Sequence, residues 1–290
     1  MRAAVSEVLD AHRRAGHLFD VDGVESFVRE EGDGEPVVLL HGVPSSSFLY
    51  RKVLPLLSAE GLRGVAFDFP GLGFADRPED YDYSWSGLAR FTGEAIDALG
   101  IERCHLVVHD IGGPIGFEWA IRNPDQVASL TALNTLVDVG SFHRPWSMHP
   151  FSIRGVGELW LRSLNPWAMR RLFYLQTIAD RSATPPAEIY AYYHLLKRED
   201  GGRAFLRIMR GFELTSEKER FFRDGLAALD CPRQVVWGDR DPALKTERRL
   251  AVQAFLHVSD PILLPAKHFL QEDQAPAVAG AIAALAKRGA

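Results

Sequence analysis

The sequence predicts an α/β fold, a mostly parallel sheet covered by helices on both faces and interrupted by an inserted helical lid. Three observations predict it. Short β-branched and apolar runs alternate with helix-length amphipathic segments through the first half of the chain, the order expected of βαβ units. From about Val137 to Ser216 strand candidates vanish, while three of the six tryptophans and four of the seven tyrosines gather there; the alternation then resumes. Finally, Cys104–Trp119 reads as a strand, a tight turn with glycines at 112 and 113, and an amphipathic helix, an elbow that holds the residue at its tip exposed. With 290 residues, 47% hydrophobic and 24% charged, the chain has an ordinary globular composition. Its length suits one large domain carrying an insertion: residues 1–136 and 217–290 form the main domain and 137–216 the cap.

The elements follow in order. Val37–Leu40 is a continuous apolar run of the kind a strand buried on both faces requires. A helix over Phe48–Ser58 leads to a second strand, Gly64–Phe67, and a helix over Trp85–Leu99 leads to a third, Leu106–Val108. The elbow helix and a strand over Val127–Leu133 precede the lid. After it come strands at Gln234–Trp237 and Pro261–Leu264 with a helix between them, and a last helix from about Ala275. Trp119 on the elbow helix and Trp237 in a strand read as core.

A net charge of −5 without a basic run gives no case for nucleic acid and suits a small uncharged organic substrate. The first residues lack the apolar core of a signal peptide, and no stretch reaches the ~18 apolar residues of a membrane span. No membrane association and a cytoplasmic location are expected. Cys104 and Cys231 fit buried thiols in a reducing compartment.

The elbow's tip is Asp110. A carboxylate, with an ordinary pKa of about 3.9, is ionised at neutral pH and needs no base to become a nucleophile. Attack on an acyl carbon would give a high-energy mixed anhydride, whereas displacement at a saturated carbon gives an ordinary alkyl ester. The elbow therefore points to carbon–halogen or epoxide C–O bonds. Taken alone it balances against a second reading, Asp110 as N-cap of the helix beginning at Ile111, worth about 1 kcal/mol. Three further motifs fall at strand ends, where open α/β sheets place ligands. These are His41-Gly-Val-Pro44, able to aim the Val43 amide at a bound oxygen, Gly238-Asp-Arg-Asp-Pro242, and Pro265-Ala-Lys-His268. His41 and His109 beside them read as hydrogen-bonding supports.

Over nearly its whole length the chain resembles the α/β-hydrolase family and, within it, the haloalkane dehalogenase and epoxide hydrolase branch. The likeness to haloalkane dehalogenases rests on His41-Gly-Val-Pro-Ser-Ser-Ser-Phe-Leu-Tyr-Arg51, on Asp68-Phe-Pro-Gly-Leu-Gly-Phe-Ala-Asp-Arg-Pro78, and on His268-Phe-Leu-Gln-Glu-Asp273. The resemblance implies an α/β-hydrolase fold with a cap, with Asp110 as nucleophile, His268 as base and Asp241 as acid. It also implies an oxyanion hole from the backbone N–H groups of Val43 and Ile111. Part of the family keeps its acid after the strand following the elbow helix. That place here reads Leu133-Asn-Thr-Leu136, which leaves Asp241, with Asp239 as fallback. Water is the second substrate.

Two departures bear on the leaving group. Ile111 stands where a halide-holding tryptophan is usual, and Val43 where one subfamily has asparagine. A lid tryptophan is the expected substitute, Trp160 first, then Trp146 and Trp167. Tyr174 and Tyr192, with Tyr190 and Tyr193, are candidates for protonating an epoxide oxygen, yet Arg203–Arg207 lacks the second tyrosine of that chemistry. Haloalkane dehalogenation is thus the leading expectation, epoxide hydrolysis the alternative, and a non-catalytic, receptor-like homologue a third. His143 and His149 lack the spacing of a zinc helix site, and Gly112-Gly-Pro-Ile-Gly116 lacks the spacing of a nucleotide loop, so neither metal nor organic cofactor is expected.

Overall fold

Each expected strand forms, and most run a few residues longer. The computed structural model describes residues 2–289. In chain order it contains α1 (Arg2–Arg14), β1 (His17–Val21), β2 (Val24–Glu31), β3 (Glu35–Leu40), α2 (Leu54–Ala59), β4 (Leu62–Phe67) and α3 (Trp85–Ala98). The elbow pair β5 (Cys104–Asp110) and α4 (Gly112–Arg122) is followed by β6 (Val127–Thr135). Then come α5 (Val156–Ser163), α6 (Pro166–Gln176), α7 (Pro186–Lys197), α8 (Arg203–Arg210) and α9 (Ser216–Ala228). The chain ends with β7 (Arg233–Gly238), α10 (Thr246–Leu256), β8 (Ile262–Leu264), α11 (Leu270–Asp273) and α12 (Ala275–Gly289).

The eight strands form one sheet in the order β1-β2-β4-β3-β5-β6-β7-β8. Pairings from β4 through β8 are parallel, while β2 runs antiparallel to both β1 and β4. β5 lies between β3 and β6, and all its residues but Asp110 are buried. α2 and α12 pack together on one face; α3, α4, α9 and α10 follow one another across the other. Trp119 and Trp237 are buried in this core.

Two features differ from the expected elements. The expected helix over Phe48–Ser58 is two pieces, a 3-10 turn at Ser47–Tyr50 and then α2, with Pro55 in the first turn of α2. A proline ring clashes with the carbonyl four residues earlier and has no N–H to donate, so a helix can begin at Pro55 but cannot run through it. The β1–β2 hairpin was not anticipated. Its turn, Asp22-Gly23, holds both residues at positive φ (48° and 80°), the two-residue hairpin connection that an Asp-Gly pair favours.

Between β6 and β7 the described chain is helical. Among the described residues no helix is long and apolar enough to cross a membrane.

Candidate active site

β5 delivers Asp110 to the C-terminal end of the central strands with φ +53°, a conformation uncommon outside glycine and characteristic of over-determined functional turns. Its carbonyl accepts from Thr135 Oγ1 at the end of β6 (2.6 Å), which braces the turn. The Asp110 side chain does not cap α4, whose capping position is Ile111 and carries no side-chain cap. Instead Oδ1 accepts from the Val43 N–H (2.9 Å) and Oδ2 lies 3.3 Å from His268 Nε2. Val43 reaches this oxygen because residue 42 is glycine: a Cβ there would stand 2.2 Å from Asp110 Cβ and Oδ1.

His268 follows β8. Its Nδ1 lies 2.7 Å from Asp241 Oδ2, in the loop after β7. Asp241 Oδ1 accepts from the N–H groups of Ala243 (2.7 Å) and Leu244 (3.0 Å), and Oδ2 also accepts from Asn134 Nδ2 (2.8 Å). Asn134 Oδ1 in turn accepts from the Gly238 N–H (2.7 Å), so the amide at the end of β6 pins the loop that carries Asp241. Asp239 is half exposed and only distantly paired with Arg240 (3.8 Å); it takes no part. His109 Nε2 donates to the His268 carbonyl (2.8 Å). His41 Nδ1 donates to Gly42 O (3.0 Å), and its Nε2 accepts from the Phe69 N–H (3.2 Å). Burial lowers His41 to about 4 and His109 to about 3, so both are neutral scaffolding at physiological pH.

Charge is shared along the row Asp110, His268, Asp241. Burial alone would lower the imidazole's pKa, but Asp241, then Asp110, lift it to about 10. Burial works to raise both carboxyls, and the hydrogen bond and charge of His268 overcome it and hold each below the ordinary range. These shifts all favour an imidazolium flanked by two carboxylates.

Asp110 and His268 open onto a cavity of about 90 Å³. Its wall is mostly apolar and includes Val43, Ile111, Phe173, Phe205 and Leu244. Helices between β6 and β7, α6 and α8 among them, supply much of it.

The alpha/beta hydrolase fold family model matches residues 35–275, spanning β3 to the start of α12. The chain belongs to the α/β hydrolase fold family. Within it, this α/β hydrolase is a hydrolase of the haloalkane dehalogenase-like branch, which sets the non-catalytic expectation aside. It is 30% identical over 263 residues to haloalkane dehalogenase 2 of Mycobacterium tuberculosis, covering 87% of this chain and 88% of that relative. The crystal structure of a mutant of DBJA superposes with a TM-score of 0.80 at 25% identity over 94% of this chain and 98% of that one. The epoxide hydrolase CorEH shares the fold at 20% identity, TM-score 0.79, over 94% and 98% of the two chains.

The expected leaving-group residues of this α/β hydrolase are elsewhere. Trp146, Trp160 and Trp167 are 64%, 38% and 55% exposed, and none lines the cavity. Trp160 on α5 and Trp167 on α6 sit on the outward faces of short helices whose inner faces are filled by Leu161, Met169 and Phe173. Tyr174 donates to Thr184 O (3.3 Å), and buried Tyr192 donates to Glu272 Oε1 (2.5 Å); neither reaches the cavity. The polar side chains that do line it, besides Asp110 and His268, are Arg144, Ser147, Gln176 and Thr177. None had a sequence signal stronger than its place in the lid.

Proposed function

We propose that this hydrolase cleaves a bond from a saturated carbon to a leaving group through an alkyl-enzyme ester on Asp110, with carbon–halogen bonds as the leading substrate class. The observation that carries this reading is the Asp110 carboxylate itself. One oxygen is held by the Val43 N–H and the other faces His268 at the floor of a largely apolar cavity. Oδ2, the oxygen not engaged by Val43, attacks the carbon, and the carbon–halogen pair leaves with the halide. A water oxygen then attacks Asp110 Cγ while its proton passes to His268 Nε2. As the tetrahedral intermediate collapses, His268 returns that proton to the departing alkoxide oxygen, which releases the alcohol, and the second water proton is lost to solvent as the Asp110 carboxyl ionises.

Asp241 holds His268 in the tautomer that presents Nε2, the role of the orienting acid in a triad. The oxyanion on Asp110 is stabilised by the Val43 N–H, already bonded to Oδ1, and by the Ile111 N–H at the start of α4, where helix N–H groups lack intrahelical acceptors. Alkylation also turns the base on. Once Asp110 is a neutral ester, its contribution to the raised His268 pKa disappears and only that of Asp241 remains; the imidazolium then gives its Nε2 proton to solvent, and the neutral ring can accept one from water.

Epoxide opening needs an acidic donor at the departing oxygen, and no tyrosine lines the cavity, which favours the halide reading. A His268→Phe protein tests the mechanism: incubated with 1-bromobutane it should gain the mass of one butyl group on the peptide containing Asp110. An unmodified Asp110, with a substrate that the unaltered protein consumes, would sink the reading.

A further inference from the structure

The lid wall of the cavity carries a cation that the hydrolytic sequence does not use. Arg144 lies in the loop after β6, lines the cavity and is half-buried. Its Nη2 donates to Met209 O (2.9 Å), and the guanidinium lies 4.7 Å from the Phe212 ring centroid. Its Nε is buried without a partner, and burial alone shifts its pKa, downward, with no carboxylate contributing. Glu213, which shares an outer pocket with Arg144, is already taken by the Ser86 N–H and Oγ and by Lys218. A half-buried guanidinium whose partners are one carbonyl and one ring, with no counter-ion, keeps donor capacity that an anion in the cavity would satisfy. Gln176 on α6 lines the same cavity; its Oε1 accepts from Ser147 Oγ (2.7 Å), which leaves its amide NH2 as the end free to donate.

We propose that Arg144, with the Gln176 amide, forms an anion seat in the lid wall of the cavity that also holds Asp110 and His268. Its ligand is the carboxylate of a short substrate whose other end bears the leaving group, or the halide once it has departed. The negative net charge of the whole chain argued for an uncharged substrate; the local charge on this wall argues the opposite. The proposal rests on the alkyl-ester reading for what the seat serves, and its test separates the two.

Butyrate and sodium bromide, which cannot react, are titrated calorimetrically at constant ionic strength into the unaltered protein and into Arg144→Gln and Arg144→Lys. Saturable binding to the unaltered protein, weakened about tenfold or more in Arg144→Gln, is the size expected of a lost charge-assisted hydrogen bond. Arg144→Lys keeps the charge and should fall between; it also carries the test if the glutamine variant does not fold. Loss confined to butyrate assigns the seat to a substrate carboxylate, loss confined to bromide assigns it to the departing halide, and loss of both lets it serve each in turn. No saturable binding of either anion, or affinities untouched by both substitutions, overturns the seat. Because nothing here turns over, a protein with no dehalogenase activity still answers. In an active protein, the ratio of kcat/KM for 4-bromobutyrate over 1-bromobutane should exceed one and fall at least tenfold in Arg144→Gln; a ratio below one in the unaltered protein removes the carboxylate assignment.

Discussion

At the scale of single residues the site turns on two carboxylates competing for one imidazole. Because Asp110 is held below the ordinary carboxylate range and His268 is raised to about 10, the proposed nucleophile is ionised and the proposed base protonated between about pH 5 and 9. Alkylation, which needs only the carboxylate, should therefore be flat across that window in single-turnover measurements. Ester hydrolysis needs neutral His268 and should rise with pH until the imidazole of the ester form has lost its proton. An alkylation rate that itself climbs with pH would mean that a base acts before the ester forms. Asp241→Asn should lower turnover by about 10³- to 10⁴-fold, the loss seen when a triad's orienting acid becomes an amide, while Asp239→Asn should leave kcat within about twofold on the same principle, since Asp239 touches no triad atom. A reversal of these two effects would reassign the acid. That Asp110, His268 and Asp241 come together was legible from their motifs at strand ends and from the family resemblance, with Asp239 in the same loop as the fallback for the acid. Asn134 was legible only as a missing carboxylate: nothing in an uncharged amide announces that it grips both Asp241 and Gly238. The lid tryptophans misled for a related reason. Aromatic content marks a layer that buries area, but it does not say which face of a short helix such as α5 or α6 turns inward, nor where a loop residue such as Trp146 points.

At the scale of elements, the central strands were legible because a parallel strand buried on both faces must be a continuous apolar run, as Val37–Leu40 and Leu106–Val108 are. The β1–β2 edge was not, because its burial is broken and charged residues interrupt it; the Asp22-Gly23 pair was the signal. The loop after β3 shows how tightly one element is fitted to another. Its approach to Asp110 leaves no room for a side chain at residue 42. Gly42→Ala should push the loop outward, lengthen the Val43 N–H to Oδ1 hydrogen bond and reduce kcat by about 10- to 10³-fold, in the range measured for loss of one oxyanion donor. The far-UV circular dichroism should stay unchanged, because the sheet hydrogen bonds of β3 lie before the substitution. Full activity in Gly42→Ala would mean that the loop, and with it the oxyanion hole, is looser than the 2.9 Å contact indicates.

At the scale of the whole molecule, the helical segment between β6 and β7, expected to form the lid, is tied to the sheet by a buried ion cluster close to the site. Glu272 on α11, four residues after His268, receives Arg51 Nη1 (2.5 Å), Lys52 Nζ (2.8 Å) and the Tyr192 hydroxyl from α7 (2.5 Å), and Arg51 also pairs with Glu188 on α7. The resemblance quoted Arg51 and Glu272 as parts of two separate motifs; their pairing across 221 positions is a fact of the fold that no local pattern carries. Burial acts to raise the Glu272 pKa, but Arg51 and then Lys52 hold it at about 2, against an ordinary 4.5. A depressed folded-state pKa stabilises above the unfolded value and loses that contribution as pH falls through the folded one. The latch should thus be fully present above about pH 4.5 and fade toward pH 2. Glu272→Gln leaves Arg51 buried with one carboxylate fewer, and losing a partner from a buried pair costs about 3–5 kcal/mol. The melting temperature at pH 7 should drop accordingly, and its further decline between pH 4.5 and 2 should be shallower than in the unaltered protein. Equal slopes in the two proteins would show that other carboxylates govern acid unfolding and that the lid is held chiefly by its apolar contacts with the body.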